Sequence, residues 1–185
     1  MKNALILHGT DADHTSHWFS WLGEQLEQAG YKAWVPDLPG ADYPSIERYN
    51  DFLLSSEFEF SQETIIVGHS SGAVEVLGLL NDERFKAVVK ACFMVGVFEG
   101  DLGWDKLVGM KADFDYEAIK SKSKRFVVIH SDNDPHCPLE GAKRIAGKLE
   151  AEFIMIPGQG HFSAKDNAEY VKFPKLLKIV EETVL

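Results

Sequence analysis

The sequence predicts an α/β fold: a doubly wound, mostly parallel sheet of about six strands with helices on both faces. Six short runs rich in Val, Ile and Phe alternate along the chain with amphipathic segments. Most of these runs are apolar on both faces, which is typical of buried parallel strands. Repeated alternation of strand and helix indicates crossover connections, and these place helices on both faces of one sheet.

Each element has its own signal in the sequence. The six apolar runs are the candidate strands, at 4–7, 33–35, 64–67, 87–97, 125–129 and 152–156. Five segments between or after them carry apolar residues at helical spacing, at 18–29, 46–53, 72–80, 142–149 and 173–180. Pro174 stands near the start of the last segment, where its missing N–H costs little. Because no repeat, low-complexity stretch or Pro/Gly/Ser-rich linker divides the chain, residues 1–185 are interpreted as one domain.

Charge and composition exclude several classes of function. The formal net charge of −10 repels phosphate backbones and, more weakly, anionic membranes. No run approaches the roughly 20 apolar residues of a membrane span, and no signal peptide is evident. We therefore expect a cytoplasmic protein without nucleic-acid or membrane partners. Cys92 and Cys137 stand in no metal-binding spacing and are interpreted as reduced thiols.

No cofactor or metal is expected either. One cluster of carboxylates and imidazoles follows the first apolar run, at Asp11, Asp13, His14 and His17. Its spacing matches no established zinc pattern and favours capping and loop roles. His136 lies beside Asp134, but the neighbouring sequence supplies no further ligands. No phosphate-binding glycine motif is present, because Gly158-Gln159-Gly160 opens no helix of the required type.

The third apolar run ends in a motif that predicts a nucleophile. Gly68-His69-Ser70-Ser71-Gly72 matches G-x-S-x-G between a strand and a helix. A serine on so sharp a turn projects out of the sheet, and the turn leaves no room for side chains two residues to either side. Ser70 is therefore the predicted nucleophile, and the N–H of Ser71, at the helix start, is a predicted oxyanion donor. His69 is interpreted as structural, and the competing interpretation of the motif is a simple Gly-flanked turn.

A serine nucleophile needs a base, and the base needs an acid that fixes its tautomer. The acid is expected after a later strand, and two carboxylates, Asp132 and Asp134, follow the fifth run and compete for this role. Each of them also suits a turn. The sixth run leads through two glycines to His161, which is the candidate base. The loop after the first run offers the N–H of Thr10 as the second oxyanion donor.

Together these features resemble the small serine hydrolases of the RBBP9/YdeN family, within the α/β-hydrolase superfamily. The matching residues span nearly the whole chain: His8-Gly9, His17-Trp18, Gly68-His69-Ser70-Ser71-Gly72-Ala73, Asp134-Pro135-x-x-Pro138 and Gly160-His161-Phe162. The resemblance implies that Asp134 rather than Asp132 is the acid, with Cys137 in place of the usual aliphatic residue. The retinoblastoma-binding motif L-x-C-x-E of some relatives is absent, so that interaction is not carried over.

The resemblance implies a minimal α/β-hydrolase fold without a cap domain. Larger hydrolases insert a lid where this chain has residues 98–124, which offer room for one or two short helices, such as Tyr116–Lys120. We therefore expect a shallow, open site and no interfacial lipase action. For Trp104 and Phe114, which lie in this interval, one interpretation is that they line the site, and the favoured one is that they pack in the core.

The predicted function is hydrolysis of a carboxylic ester or amide in a small molecule, of carboxylesterase type. Ser70, His161 and Asp134 are the predicted catalytic triad, and the reaction passes through an acyl-enzyme. A non-catalytic protein-binding module that retains the fold is the alternative, because a fold alone does not prove activity. The order of the three groups along the chain favours the enzyme. The acyl group, the leaving group, any protein partner and the oligomeric state stay open.

Overall fold

The structure, a computed structural model, describes residues 2–184 and places six strands in one sheet. The strands are β1 Asn3–Leu7, β2 Lys32–Trp34, β3 Ile65–His69, β4 Ala91–Val95, β5 Phe126–His130 and β6 Glu152–Met155. Their spatial order is β2-β1-β3-β4-β5-β6, and every neighbouring pair is parallel. The predicted doubly wound α/β fold is confirmed, and the sheet is parallel throughout.

Helices cover both faces of this sheet. They are α1 Phe19–Gln28, α2 Ile46–Leu54, α3 Ser71–Asn81, α4 Tyr116–Lys120, α5 Leu139–Leu149 and α6 Pro174–Val184. Two 3₁₀ segments, Asp105–Met110 and Ala168–Val171, complete the regular structure of the described residues. The sequence predicts one strand over 87–97, but only Ala91–Val95 forms it. Its end is set by Gly96, whose φ of +63° turns the chain out of the sheet.

Alternate residues of each central strand pack into two separate apolar layers, one on each face of the sheet. In β1, Leu5 and Leu7 pack with α2, α3 and α5, whereas Ala4 and Ile6 pack with α1 and α6. All five residues of β1, β3, β4 and β5 are buried. This double burial explains why those strands read as continuous apolar runs. The edge strands β2 and β6 are partly exposed, and their sequences are accordingly more mixed.

Helix α3 crosses the middle of the molecule and carries a buried carboxyl group. Residues Ser71 to Leu80 of α3 are all buried, including Glu75, which is fully buried. Within residues 2–184, neither carboxyl oxygen of Glu75 has a hydrogen-bond partner, and the Tyr49 hydroxyl and Asn50 Oδ1 in α2 lack one too. Burial raises the pKa of Glu75 well above its ordinary value, and the nearby charge of Asp82 raises it further. Glu75 is therefore held in its neutral form.

Glu75→Gln is expected to stabilise the protein at neutral and alkaline pH. The folded state binds the Glu75 proton more tightly than the unfolded state does, so the free energy of unfolding falls as the pH rises above the ordinary carboxyl pKa. Glutamine keeps the shape and cannot ionise. The Tm of the variant should exceed that of the wild type by about 3 °C or more near pH 8, and the gap should narrow towards about pH 4.

Thermal unfolding followed by circular dichroism across this pH range measures the effect. Glu57→Gln is the matched control, because Glu57 is exposed in a loop and should shift the Tm little at any pH. If the difference in Tm between the wild type and Glu75→Gln stays constant with pH, burial does not perturb the pKa of this carboxyl group.

Candidate active site

The loops that follow the carboxyl ends of the strands meet at one cavity. This is the edge of the sheet where parallel α/β proteins place their sites. The cavity has a volume of about 180 Å³. Its lining includes Thr10 after β1, Ser70 after β3, Cys137 after β5 and His161 after β6. The sequence-predicted nucleophile and base therefore face the same space.

The turn that carries Ser70 requires glycine on both sides. Ser70 has φ +55° and ψ −121°, a conformation that L-residues rarely adopt, and its N–H donates to the carbonyl of Val95 at 2.9 Å. A Cβ on Gly68 would overlap the backbone of Gly72, and a Cβ on Gly72 would overlap the carbonyl of Leu7. The strained turn thus fixes Ser70 at the junction of β3 and α3.

Thr10 and Ser71 come together beside the nucleophile. The Thr10 hydroxyl donates to Ser71 Oγ at 2.9 Å, which ties the loop after β1 to the first residue of α3. A Cβ on Gly9 would lie 3.0 Å from Ser70 Cβ, so the chain passes very close to the nucleophile. First-turn N–H groups of a helix lack intrahelical acceptors and favour negative charge. The proposed oxyanion donors are therefore neighbours, and their role stays a prediction.

His161 and Asp134 form a direct pair. His161 Nδ1 lies 2.7 Å from Asp134 Oδ2, and the Asp134 side chain is only 1% exposed. Asp134 Oδ1 accepts from the N–H groups of His136 at 2.8 Å and Cys137 at 2.9 Å. Burial opposes ionisation of Asp134, but the hydrogen bond from His161 and these two N–H donors outweigh it and lower its pKa. Asp134 is thus an anion that orients the imidazole.

Asp132, the competing carboxylate, holds the neighbouring loop instead. Its Oδ1 accepts from the N–H of Gly158 at 2.7 Å. Ser131 and Asn133 bind the same loop, through the N–H groups of Gln159 at 2.9 Å and Gly160 at 2.7 Å. The segment after β5 therefore positions the loop after β6 with three hydrogen bonds, and only Asp134 among these residues reaches the His161 ring.

Two further histidines donate hydrogen bonds to backbone carbonyls in or near the His161–Asp134 pair. His69 is fully buried, and its Nε2 donates to the carbonyl of His161 at 2.8 Å, with the ring centroids 4.7 Å apart. Burial lowers the pKa of His69 well below its ordinary value, so the ring is neutral and keeps one N–H for this bond. His130 Nε2 donates to the carbonyl of Cys137 at 2.9 Å. These contacts, and the close approach of Gly96, were not evident from the sequence.

Gly96 illustrates the packing around the base. A Cβ at this position would lie 3.2 Å from His161 Cε1 and 3.6 Å from Asp134 Oδ2. A side chain there would press against the imidazole, and the positive φ favours glycine independently. Its signal in the sequence is a glycine that interrupts an apolar run.

His69→Phe is expected to slow the reaction through the position of His161. Phenylalanine keeps the ring volume but leaves the His161 carbonyl without its donor, and small displacements of a catalytic group cost up to about 100-fold in rate. We expect kcat for the predicted hydrolysis to fall by about 10–100-fold with little change in KM. Partial recovery in His69→Gln, which retains an N–H donor, distinguishes this role from general packing. A kcat for His69→Phe equal to that of the wild type contradicts it.

Ser70 and His161 are the predicted nucleophile and base. Among residues 2–184, no hydrogen bond joins the Ser70 hydroxyl to His161, although both residues line the cavity. Free enzymes often show long nucleophile-to-base distances that shorten when substrate binds.

The segment between β4 and α4 forms one wall of the cavity. Phe98, Leu102, Trp104 and Leu107 line it, and no cap domain covers it among the described residues. The favoured interpretation, that Trp104 packs in the core, is wrong: Trp104 is 45% exposed and lines the cavity, as the alternative interpretation expects. Its ring lies edge-on to His136, with 6.0 Å between the ring centroids. Phe114 packs, partly buried, against the core as expected. No helix within residues 2–184 has the length and apolarity needed to cross a bilayer.

Comparisons with known proteins agree with this architecture. A family model described as serine hydrolase matches residues 4–182. The hydrolase YdeN of Bacillus subtilis is 27% identical over 163 residues, covering 87% of this chain and 86% of that protein. The serine hydrolase RBBP9 of Rattus norvegicus is 25% identical over 186 residues, covering 96% and 93%. The crystal structure of YdeN superposes with a TM-score of 0.90 at 25% identity, covering 99% of this chain and 98% of that one. The chain therefore belongs to the serine hydrolase family that includes YdeN and RBBP9, and it has the α/β-hydrolase fold.

Proposed function

We propose that this protein hydrolyses a carboxylic ester or amide through an acyl-enzyme on Ser70. One observation carries the proposal: the His161–Asp134 pair, 2.7 Å between Nδ1 and Oδ2, shares a cavity with a serine held on a strained turn. A buried anion bonded to one imidazole nitrogen leaves the other free to accept a proton. This is the arrangement that activates a hydroxyl group.

The reaction then proceeds in two halves. His161 Nε2 takes the Ser70 proton while Oγ attacks the carbonyl carbon, and the N–H groups of Ser71 and Thr10 bind the oxyanion. His161 next donates that proton to the leaving alcohol or amine, which departs and leaves an ester on Ser70. Water, deprotonated by His161, attacks this ester, and the proton returns to Ser70 as the acid leaves. Asp134 remains ionised throughout and stabilises the imidazolium.

The cavity favours small substrates of carboxylesterase type. Its volume of 180 Å³ lies below the roughly 300–1,000 Å³ of sites for drug-sized ligands. Aromatic and aliphatic side chains form one wall, and Lys106 and Lys165 also line the cavity, where both bind Asp11. A short apolar acyl group fits against the first wall. We therefore expect short acyl chains to be hydrolysed faster than long ones.

Labelling with a fluorophosphonate probe tests the nucleophile directly. Intact-mass analysis should show one adduct per chain, mapped to Ser70 and absent from Ser70→Ala. A panel of p-nitrophenyl esters of increasing acyl length, with matched anilides, then separates ester from amide hydrolysis and measures the size limit. Absence of any adduct on folded wild-type protein would favour the alternative, a binding module that retains the fold.

A further inference from the structure

Cys137 stands in the candidate active site at a position where the family resemblance implies an aliphatic residue. Its thiol lines the cavity and is 1% exposed. It shares this lining with Ser70 and lies close to the His161–Asp134 pair. The proposed hydrolysis uses Ser70, His161 and Asp134 and gives the thiol no role. Cys137 therefore adds a second kind of chemistry to the site.

Three different metal-binding groups converge at this point. One donor atom each from Asp134, Cys137 and His161 lies within 4.8 Å of the other two. Ligand atoms around a tetrahedral zinc ion are separated by about 3.3–3.8 Å, given bond lengths of about 2.0–2.3 Å. Side-chain movements of about 1 Å thus suffice to bring the three atoms onto one ion. The sequence alone indicated no metal site, because His161 joins from a different strand end, 24 residues beyond Cys137.

The backbone around these ligands is already fixed. The N–H of Cys137 donates to Asp134 Oδ1 at 2.9 Å, and its carbonyl accepts from His130 Nε2 at 2.9 Å. The carbonyl of His161 accepts from His69 Nε2 at 2.8 Å. Ligands held by such secondary hydrogen bonds bind metals more tightly than flexible ones. The cavity supplies access from solvent and room for a fourth ligand, either water or the Ser70 hydroxyl.

The donor set selects the kind of ion. A thiolate and an imidazole favour borderline and soft cations, whereas Mg²⁺ and Ca²⁺ require oxygen ligands. Sulfur, nitrogen and oxygen donors in a group of three, with one open position, match the preferences of Zn²⁺. We propose that Asp134, Cys137 and His161 form an inhibitory binding site for a thiophilic divalent cation, with Zn²⁺ as the best match.

Inhibition follows from the loss of the base, and this part of the inference rests on the proposed function. Zn²⁺ displaces the proton of the Cys137 thiol, and this proton passes to solvent. The ion also forms a bond to one nitrogen of His161. Bound at Nε2, the ion occupies the lone pair that would accept the Ser70 proton. Bound at Nδ1, it leaves the proton on Nε2, which then cannot accept another. Either mode stops turnover until the ion dissociates.

Direct metal binding tests the site without any substrate. Metal-free protein is titrated with Zn²⁺ against a chromogenic chelator, in the wild type and in Cys137→Val, Cys137→Ser and Cys92→Ala. We expect one ion per chain in the wild type and in Cys92→Ala, and a Kd raised at least about tenfold in both Cys137 variants, since even outer hydrogen-bond partners of a metal ligand are worth this much. Co²⁺ added to wild-type protein should give a thiolate charge-transfer absorption that is lost in Cys137→Ser.

The inhibition is measured separately. Zn²⁺ should slow fluorophosphonate labelling in the wild type, EDTA should restore it, and Mg²⁺ should have no effect. The labelling rate of Cys137→Val is compared with the rate of the same variant without zinc. About tenfold more Zn²⁺ should be needed to slow labelling of this variant than to slow labelling of the wild type. Ser70→Ala should bind Zn²⁺ even if no substrate is ever found, so failure of the hydrolysis proposal does not mask the result.

Two outcomes overturn the inference. One is Zn²⁺ binding that survives in both Cys137 variants but is lost in His14→Ala, which would place the ion at the exposed His14–Asp37 pair. The other is absence of a thiolate–cobalt absorption in the folded wild type, a result that does not depend on how any variant folds.

Discussion

Ser70→Ala should abolish fluorophosphonate labelling and lower kcat/KM for ester hydrolysis by about 10⁴–10⁶-fold. The variant keeps the cavity, the oxyanion donors and the His161–Asp134 pair, so the loss reports the nucleophile alone. A residual rate above that in water is expected, because binding and the oxyanion donors still act on a water molecule. Steady-state kinetics on the best ester, with active-site titration, measure kcat/KM for the wild type and for the variant.

Ser71→Ala is the matched control for this substitution. Its N–H remains at the start of α3, and only the hydroxyl that accepts from Thr10 Oγ1 is lost. We expect activity to fall less than about tenfold, the usual size of one neutral hydrogen bond. Equal losses in Ser70→Ala and Ser71→Ala would mean that the turn, rather than the nucleophile, has been damaged.

Asp134→Asn should reduce kcat by about 10⁴-fold with little change in the fold. An asparagine amide placed at the same distance can donate to His161 Nδ1, which moves the ring proton to Nε2. The imidazole then has no lone pair for the Ser70 hydroxyl. The effect should be largest on kcat, because the group contacts no substrate in the ground state, and labelling by the fluorophosphonate should slow in parallel.

Asp132→Asn distinguishes the two carboxylates that the sequence leaves in competition. The side-chain amide of this variant would still offer an oxygen to the Gly158 N–H, so we expect a change of less than about tenfold in kcat and a slightly lower Tm. A larger loss of kcat in Asp132→Asn than in Asp134→Asn would contradict the assignment of Asp134 as the acid.

The parts of the site that were predicted from the sequence are those encoded locally. The strand, the turn with Gly68 and Gly72, and the following helix lie within a few residues of Ser70, and each has a steric reason that can be read without the fold. The fold class was predictable for a similar reason, since burial on both faces of the central strands leaves a continuous apolar run.

Contacts between distant parts of the chain were not predictable from local patterns. The preference for Asp134 over Asp132 came from the family resemblance, because the bond to His161 joins residues 27 positions apart. The sequence suggests only a structural role for His69, yet its N–H reaches the carbonyl of His161, 92 positions away. The expectation for Trp104 failed because its apolar character says nothing about which side of the segment it faces.

The placement of the site residues on four separate strand ends ties activity to completion of the whole sheet. Thr10, Ser70, Asp134 and His161 follow β1, β3, β5 and β6, so no contiguous fragment shorter than about four-fifths of the chain contains them all. Pairings this remote in sequence are slow to form, because much chain entropy is lost before the contacts are gained. Catalytic competence is consequently a late event during folding, and a serine-reactive probe will report fully assembled molecules rather than collapsed or half-paired ones.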